Sequence, residues 1–176
     1  MKRIWLSTLA ALVLLTGQAS AELKAGTAAP TFAVPAALGG TVSTFNLRAA
    51  LANGPVVLYF YPKSFTTGCT IEAHAFSDRI GEFAKYGATV IGISADGIAT
   101  QQQFSTQACR SNFRIGSDPG LAIAKAYDAV LTSSYANRTS YVIAPNGTIV
   151  ESYTDLAPLP HIENALKALA ALGAKP

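Results

Sequence analysis

Residues 56–60 read Val-Val-Leu-Tyr-Phe. No polar residue alternates with the apolar ones, so as a strand this run has no face for water. It must lie inside a sheet that is covered on both sides. Pro62 ends it. A second buried strand is expected at Thr89-Val90-Ile91-Gly92-Ile93-Ser94. Between the two, from Cys69 onward, Ala73, Phe76, Ile80 and Phe83 recur at three- and four-residue spacing among charged residues. That spacing predicts one amphipathic helix, stopped by Gly87.

The flanking segments complete the pattern. Residues 31–34 and 42–45 read as a β-hairpin around Gly39-Gly40, followed by a short helical connector over 47–51. Residues 98–108 form a polar, Gln-rich helix and 121–127 a shorter one. Residues 140–143 and 148–153 flank Pro145-Asn146-Gly147, a strong hairpin turn. Ile162, Ala165, Leu166 and Leu169 share one face of a closing helix that Gly173 stops. Strand, helix, strand, helix, hairpin and helix describe an α/β chain with a central mixed β-sheet flanked by helices and an N-terminal β-hairpin. The order resembles that of a thioredoxin-like domain.

The extreme N-terminus reads differently. Lys2 and Arg3 precede an apolar run over residues 4–15, and Ala19-Ser20-Ala21 supplies small residues for cleavage. This predicts a signal peptide over residues 1–21, removed after Ala21, and a single domain over 22–176. The apolar run is shorter than the roughly 20 residues that span a bilayer, and no second such run follows, so no stable membrane association is expected. The expected location is the periplasm or another exported compartment. There, two surviving cysteines must be bonded, buried or redox-active. Thirteen Lys and Arg face ten Asp and Glu, but two of those cations lie in the leader. The body is nearly neutral and has no basic run interleaved with aromatics, which argues against a nucleic-acid partner. Charged residues at 13% and hydrophobic ones at 50% exclude a disordered chain. Two His, one Met and one Trp leave little for haem or multi-ligand metal chemistry.

The chemistry is concentrated in Tyr59-Phe60-Tyr61-Pro62-Lys63-Ser64-Phe65-Thr66-Thr67-Gly68-Cys69-Thr70. Cys69 falls in the first turn of the helix after the buried strand. Backbone N–H groups there lack helical partners, and the helix dipole adds partial positive charge, an environment that favours thiolate over thiol. A thiolate is the species that attacks a peroxide oxygen. Thr66 can add a hydroxyl, and Pro62 can wall off bulk water. The competing reading is a buried structural cysteine at a helix start.

Pro62, Thr66 and Cys69, with the Tyr-Phe-Tyr-Pro-Lys before them, the Gly-Cys-Thr and Glu72, resemble the peroxiredoxins, specifically the peroxiredoxin Q or bacterioferritin-comigratory-protein subfamily. The resemblance extends over residues 23–172 and includes Gly92-Ile93-Ser94, Ser117-Asp118 and the Arg138 segment. It implies a thiol peroxidase in which Cys69 attacks hydrogen peroxide or an organic hydroperoxide and becomes a sulfenic acid. Thr66 and the Cys69 N–H would hold the peroxide oxygens, and Arg138 would lie beside the sulfur. Pro62 would shape the pocket, and Glu72 would orient the arginine or stay an exposed helix carboxylate. No cofactor or metal is implied. The implied partners are a peroxide and a thioredoxin-like or small-thiol reductant, and the implied state is a monomer. An apolar rim of Phe65, Phe76 and Tyr61 would tolerate organic substrates.

Two positions depart from the subfamily. Thr67 stands where a proline is usual, and His74 stands where many members carry a resolving cysteine. On a regular helix His74 lies about 140° around from Cys69, so it reads as a surface or boundary residue. Cys109, near the end of the Gln-rich helix in a polar stretch, is the only other thiol. Some members of the subfamily resolve with a cysteine from this next helix, so the resemblance implies Cys109 as the resolving thiol through an intramolecular Cys69–Cys109 disulfide; one-cysteine chemistry with an external thiol and a bond to another subunit are the alternatives. Rival functions on the same fold are a thiol–disulfide electron carrier and a metallochaperone. The first wants a Cys-x-x-Cys pair, but Glu72 occupies the second position. The second wants a close thiol pair and a His, and His161 reads as structural or exposed.

Overall fold

The computed structural model describes residues 22–173. The expected signal peptide, over 1–21, lies outside the described residues. In chain order the elements are β1 (Ala33–Leu38), β2 (Thr41–Asn46), α1 (Leu47–Leu51), β3 (Val56–Phe60), α2 (Thr67–Asp78), α3 (Ile80–Lys85), β4 (Thr89–Ser94), α4 (Ile98–Gln107) and β5 (Arg114–Ser117). They continue with α5 (Ala122–Ala126), β6 (Val130–Thr132), β7 (Tyr135–Ala136), β8 (Thr139–Ile143), β9 (Ile149–Thr154) and α6 (Leu159–Leu172). The unbroken apolar run of β3 has all five residues buried. It lies within a seven-stranded sheet of order β2-β1-β5-β4-β3-β8-β9, parallel to β4 and antiparallel to β8.

Because strand side chains alternate between faces, β3 feeds two cores. Val56, Leu58 and Phe60 join Leu47, Leu51, Ala124, Tyr127 and Tyr141 beneath α1 and α5. Val57 and Tyr59 join Cys69, Phe76, Phe83, Phe104, Ile162 and Leu166 beneath α2, α3, α4 and α6. Helices therefore cover both faces, the mixed α/β architecture expected from the sequence. Among the described residues no helix is long and apolar enough to cross a membrane.

Three elements differ from the sequence expectation. The predicted single helix after Cys69 is two helices, broken at Arg79, whose backbone leaves helical geometry at φ −107°, ψ 12°. Its guanidinium donates to Glu82 of α3 and to Glu163 of α6, so the side chain at the break ties the second helix to the last. β5, sequence Arg-Ile-Gly-Ser, is too short and too poor in β-branched residues to announce itself. It forms because β4 and β1 both offer it backbone partners. The small pair β6–β7 is likewise set by tertiary context.

Gly92 shows how closely the second core is packed. A Cβ at this position would lie 2.4 Å from Cζ of Tyr59 and 2.6 Å from its hydroxyl. Tyr59 cannot yield easily, because its ring stacks on Phe76 at 4.5 Å. Gly92→Ala is expected to destabilise the protein by about 2–3 kcal/mol through overpacking, seen as a lower midpoint in urea denaturation; an unchanged midpoint would refute this account of the core.

Candidate active site

The segment between β3 and α2 is held by buried polar contacts. The Tyr61 hydroxyl donates to Oε1 of Gln101 at 2.8 Å, and the Ser64 hydroxyl donates to the same oxygen at 3.0 Å. Gln101 Nε2 donates to Ser94 Oγ and to the Gly116 carbonyl, at 2.8 and 3.1 Å. The Ser64 N–H and the Ser94 hydroxyl both donate to Asp96 Oδ2. One network thus joins the ends of β3, β4 and β5 to α4 and fixes the approach to α2. Phe65 enters the turn with φ 64°, a conformation that costs a bulky residue energy. Its ring packs edge-on against Phe104 at 5.1 Å.

Thr66 is the extended N-cap of α2, and its carbonyl accepts the first helical bond, from Thr70 N–H at 2.9 Å. Its hydroxyl donates to the Lys63 carbonyl at 2.9 Å. Cys69 is the third residue of the helix, so its N–H is one of those the helix leaves without a partner. The sulfur is recessed, with Cys69 2% exposed. Pro62 is half-buried beside it in sequence.

Arg138 reaches this sulfur because of strand register. Phe60 pairs with Thr139 in the antiparallel β3–β8 ladder, so the residue before β8 stands where the chain leaves β3 for α2. Arg138 is 5% exposed. Nη2 donates to Cys69 Sγ at 3.4 Å, Nη1 donates to Glu72 Oε2, and Nε donates to the Leu156 carbonyl at 3.0 Å. Gly68 leaves room for the guanidinium: a Cβ there would sit 3.2 Å from Nη2. Glu72, one turn beyond Cys69, is fully buried, and its Oε1 has no protein partner. Burial pushes its pKa up to about 8, against the opposing pull of Arg138. Burial works against the Arg138 charge, but Glu72 and Cys69 outweigh it and hold its pKa above the ordinary value.

The structure brings together Cys69, Glu72 and Arg138, with Pro62 and Thr66 in the adjoining segment. Glu72 is not the exposed helix carboxylate that the sequence also allowed. Cys109 departs from its expected polar setting: it is fully buried among the second core, and burial pushes its thiol pKa up. Both sulfurs are free thiols. The expected apolar rim is corrected too, because Phe76 and Tyr61 are fully buried and only Phe65, at 46% exposure, faces outward. His161 is neither exposed nor merely packed: it is fully buried and hydrogen-bonded through both ring nitrogens. Its position on the apolar face of α6, one residue before Ile162, was the signal that it points inward. Among the described residues no cluster of three or more His, Cys, Asp or Glu could hold a metal ion.

A mixed sheet covered by helices on both faces that presents one cysteine in the first turn of a helix, hydrogen-bonded by a buried arginine just before a neighbouring strand, defines a class of thioredoxin-fold thiol enzymes. Residues 25–152 match the AhpC/TSA family. The chain is 36% identical over 154 residues to a chloroplastic peroxiredoxin Q of Oryza sativa subsp. japonica, covering 86% of this chain and 69% of that protein. It is 31% identical to peroxiredoxin Bcp of Xanthomonas campestris, covering 81% of this chain and 92% of that one. The crystal structure of peroxidoxin BcpB from Mycobacterium tuberculosis superposes with a TM-score of 0.77 at 30% identity, over 85% of this chain and 98% of that chain. The chain belongs to the AhpC/TSA family and is a peroxiredoxin, a thiol peroxidase.

The buried carboxyl makes stability depend on pH. Folded Glu72 keeps its proton up to about 8, whereas the unfolded carboxyl releases it near the ordinary 4.5. Between those values the native state binds more protons than the unfolded state, so this contribution is full below about 4.5 and is lost as pH rises to about 8. Glu72→Gln keeps an acceptor for Arg138 and removes the titration. Urea denaturation at several pH values is expected to show stability falling across this window for the native protein and a flatter profile for the variant. Parallel profiles would show that Glu72 does not titrate there.

Proposed function

We propose that the chain is an exported peroxidase that reduces hydrogen peroxide and organic hydroperoxides through Cys69, with Cys109 as the resolving thiol. The observation that carries this reading is the contact of Arg138 Nη2 with Cys69 Sγ, 3.4 Å, in a recessed site at the start of α2. The Cys69 thiolate attacks one peroxide oxygen, the O–O bond breaks, and the departing oxygen takes up a proton to leave as water or an alcohol. The sulfur becomes a sulfenic acid. Arg138 stabilises the charge that moves from sulfur to the departing oxygen, in a pocket where water screens little. The Cys69 N–H and Thr66 complete the site around the substrate oxygens, and Pro62 shapes it.

Cys109 thiol then displaces hydroxide from the sulfenic sulfur, releasing water and forming the Cys69–Cys109 disulfide. A thioredoxin-like or other thiol reductant supplies the two electrons that restore both thiols. Both sulfurs are buried on the same side of the sheet, and the proposal includes a local unwinding of α2 at its start to bring the pair into disulfide geometry. The export reading rests on the leader pattern of residues 1–21, and the molecule is proposed to act as a monomer in the periplasm or an equivalent compartment. The burial of Cys109, with its raised pKa, favours a second reading: one-cysteine chemistry in which an external thiol attacks the Cys69 sulfenic acid.

Reduced protein beginning at Glu22, given one equivalent of hydrogen peroxide with dimedone present, separates these readings by intact mass. A monomer that loses two hydrogens, with Cys109→Ser giving a dimedone adduct instead, supports resolution by Cys109. A dimedone adduct on Cys69 of the native protein supports the one-cysteine reading, and Cys69→Ser should show neither product. N-terminal sequencing of the protein from a periplasmic fraction should begin at Glu22; recovery of an intact leader would overturn the export proposal.

A further inference from the structure

The segment that receives Arg138 Nε, residues 155–157, has no regular structure of its own, yet it sets where the guanidinium points. Three bonds fix it. The Asp155 N–H donates to the Arg138 carbonyl at 3.3 Å, extending the β8–β9 ladder by one step past Thr139 and Thr154. The Ala157 N–H donates to Asp155 Oδ1 at 2.7 Å, closing a local turn. The third comes from α6: His161 Nε2 lies 3.0 Å from the Asp155 carbonyl. A carbonyl can only accept, so Nε2 carries the proton. Nδ1 is then free to accept from the Ser140 hydroxyl, 2.9 Å away. Ser140 is on β8, two residues beyond Arg138 itself. The imidazole thus spans the strand that carries Arg138 and the turn that receives it, and the edge of Tyr153 packs against the ring at 4.8 Å.

We propose that His161 is a positioning residue for the peroxidatic step: by bridging Ser140 and the Asp155 carbonyl it aims the Leu156 carbonyl at Arg138 Nε, and so holds the guanidinium against Cys69 and Glu72. His161 touches neither substrate nor sulfur. Its effect passes through Leu156. Without the imidazole, the Asp155 carbonyl loses its buried donor and turns towards water. Rotation of that peptide changes ψ of Asp155 and φ of Leu156, which leaves the next carbonyl free to shift from its place opposite Arg138 Nε. Arg138 then keeps its contact with Glu72 but loses the third support that fixes the rotation of its planar group. Displacements of this kind, even near 1 Å, can cost about 100-fold in rate.

The proposal rests on the reading of Arg138 as the group that assists Cys69, and the experiment separates the two. In protein beginning at Glu22, the rate constant for Cys69 oxidation by hydrogen peroxide is measured by competition for His161→Leu, His161→Gln, Ser140→Ala, Arg138→Ala and the double variant His161→Leu/Arg138→Ala. Gln can donate to Asp155 and accept from Ser140, so His161→Gln should stay within about threefold of the native rate, while His161→Leu falls about tenfold or more. Ser140→Ala should fall by a smaller factor. In the Arg138→Ala background His161→Leu should cause no further loss, because a residue acting through Arg138 has nothing left to act on. An equal loss in both backgrounds, or a native rate in His161→Leu, would overturn the proposal. A native rate in Arg138→Ala would instead overturn the reading of the arginine. If His161→Leu does not fold, Ser140→Ala and its double variant with Arg138→Ala decide by the same comparison.

Discussion

A guanidinium that is 5% exposed governs this structure. Removing such a charge from water costs several kcal/mol even after relaxation, and the cost is recovered only where every donor finds a partner. Arg138 finds three: a carboxyl oxygen of Glu72, the Leu156 carbonyl and the sulfur of Cys69. Each arrives from a different part of the chain. The sulfur and the carboxyl come from consecutive turns of α2, the carbonyl from the turn after β9, and the arginine from the start of β8. The alignment of Phe60 with Thr139 across the sheet brings them to one point. A one-residue slip in that ladder would send Arg138 to the opposite face, so the catalytic geometry and the sheet register are the same constraint.

A second set of buried contacts keeps the cysteine segment in place. Gln101 accepts from Tyr61 and Ser64 and donates to Ser94 and Gly116, so its amide uses both ends within a dry interior. Satisfied networks of this kind make a local arrangement unique, because each alternative leaves a polar atom unpaired. The same segment stores strain at Phe65, held at φ 64°. Fixed polar contacts on one side offset the cost of a strained turn on the other.

What the sequence made legible was local. The unbroken run of β3, the Pro-Asn-Gly turn, the periodicity of α6 and the cysteine placed just after a buried strand all express their structure within a few residues. The motif containing Pro62, Thr66 and Cys69 also pointed to Arg138 by resemblance, and the arginine does reach the sulfur. What stayed hidden depends on partners far away in the chain. β5 is a strand only because β1 and β4 flank it. Glu72 reads as a helix carboxylate until β8 and the turn after β9 close over it. The break at Arg79 interrupts a helical pattern that continues in register on both sides. Polar neighbours made Cys109 look exposed, yet Phe104, five positions earlier in α4, and Phe113, four positions later, lie with it in the same core.

If Cys109 resolves Cys69 as proposed, the contacts around each sulfur bear on which of them moves. Arg110 and Ser111, directly after Cys109, occupy left-handed backbone conformations at φ 50° and 60°, which costs of order 1–3 kcal/mol at each such residue. The turn is nevertheless fastened to the far end of α2: Arg110 pairs with Asp78, and the Asn112 side-chain amide donates to Ser77 Oγ at 2.7 Å. A motion that carried α2 bodily towards Cys109 would have to break these contacts together with the Arg79 bridges to Glu82 and Glu163. Unwinding from the N-terminal end would instead break the helical bonds of the first turn, beginning with Thr70 to Thr66, the Thr66 to Lys63 turn and the sulfur contact with Arg138. That route would move Cys69 and leave the end of α2 docked to the Cys109 turn. With Cys69 displaced, Arg138 would keep its hydrogen bonds to Glu72 and to the Leu156 carbonyl.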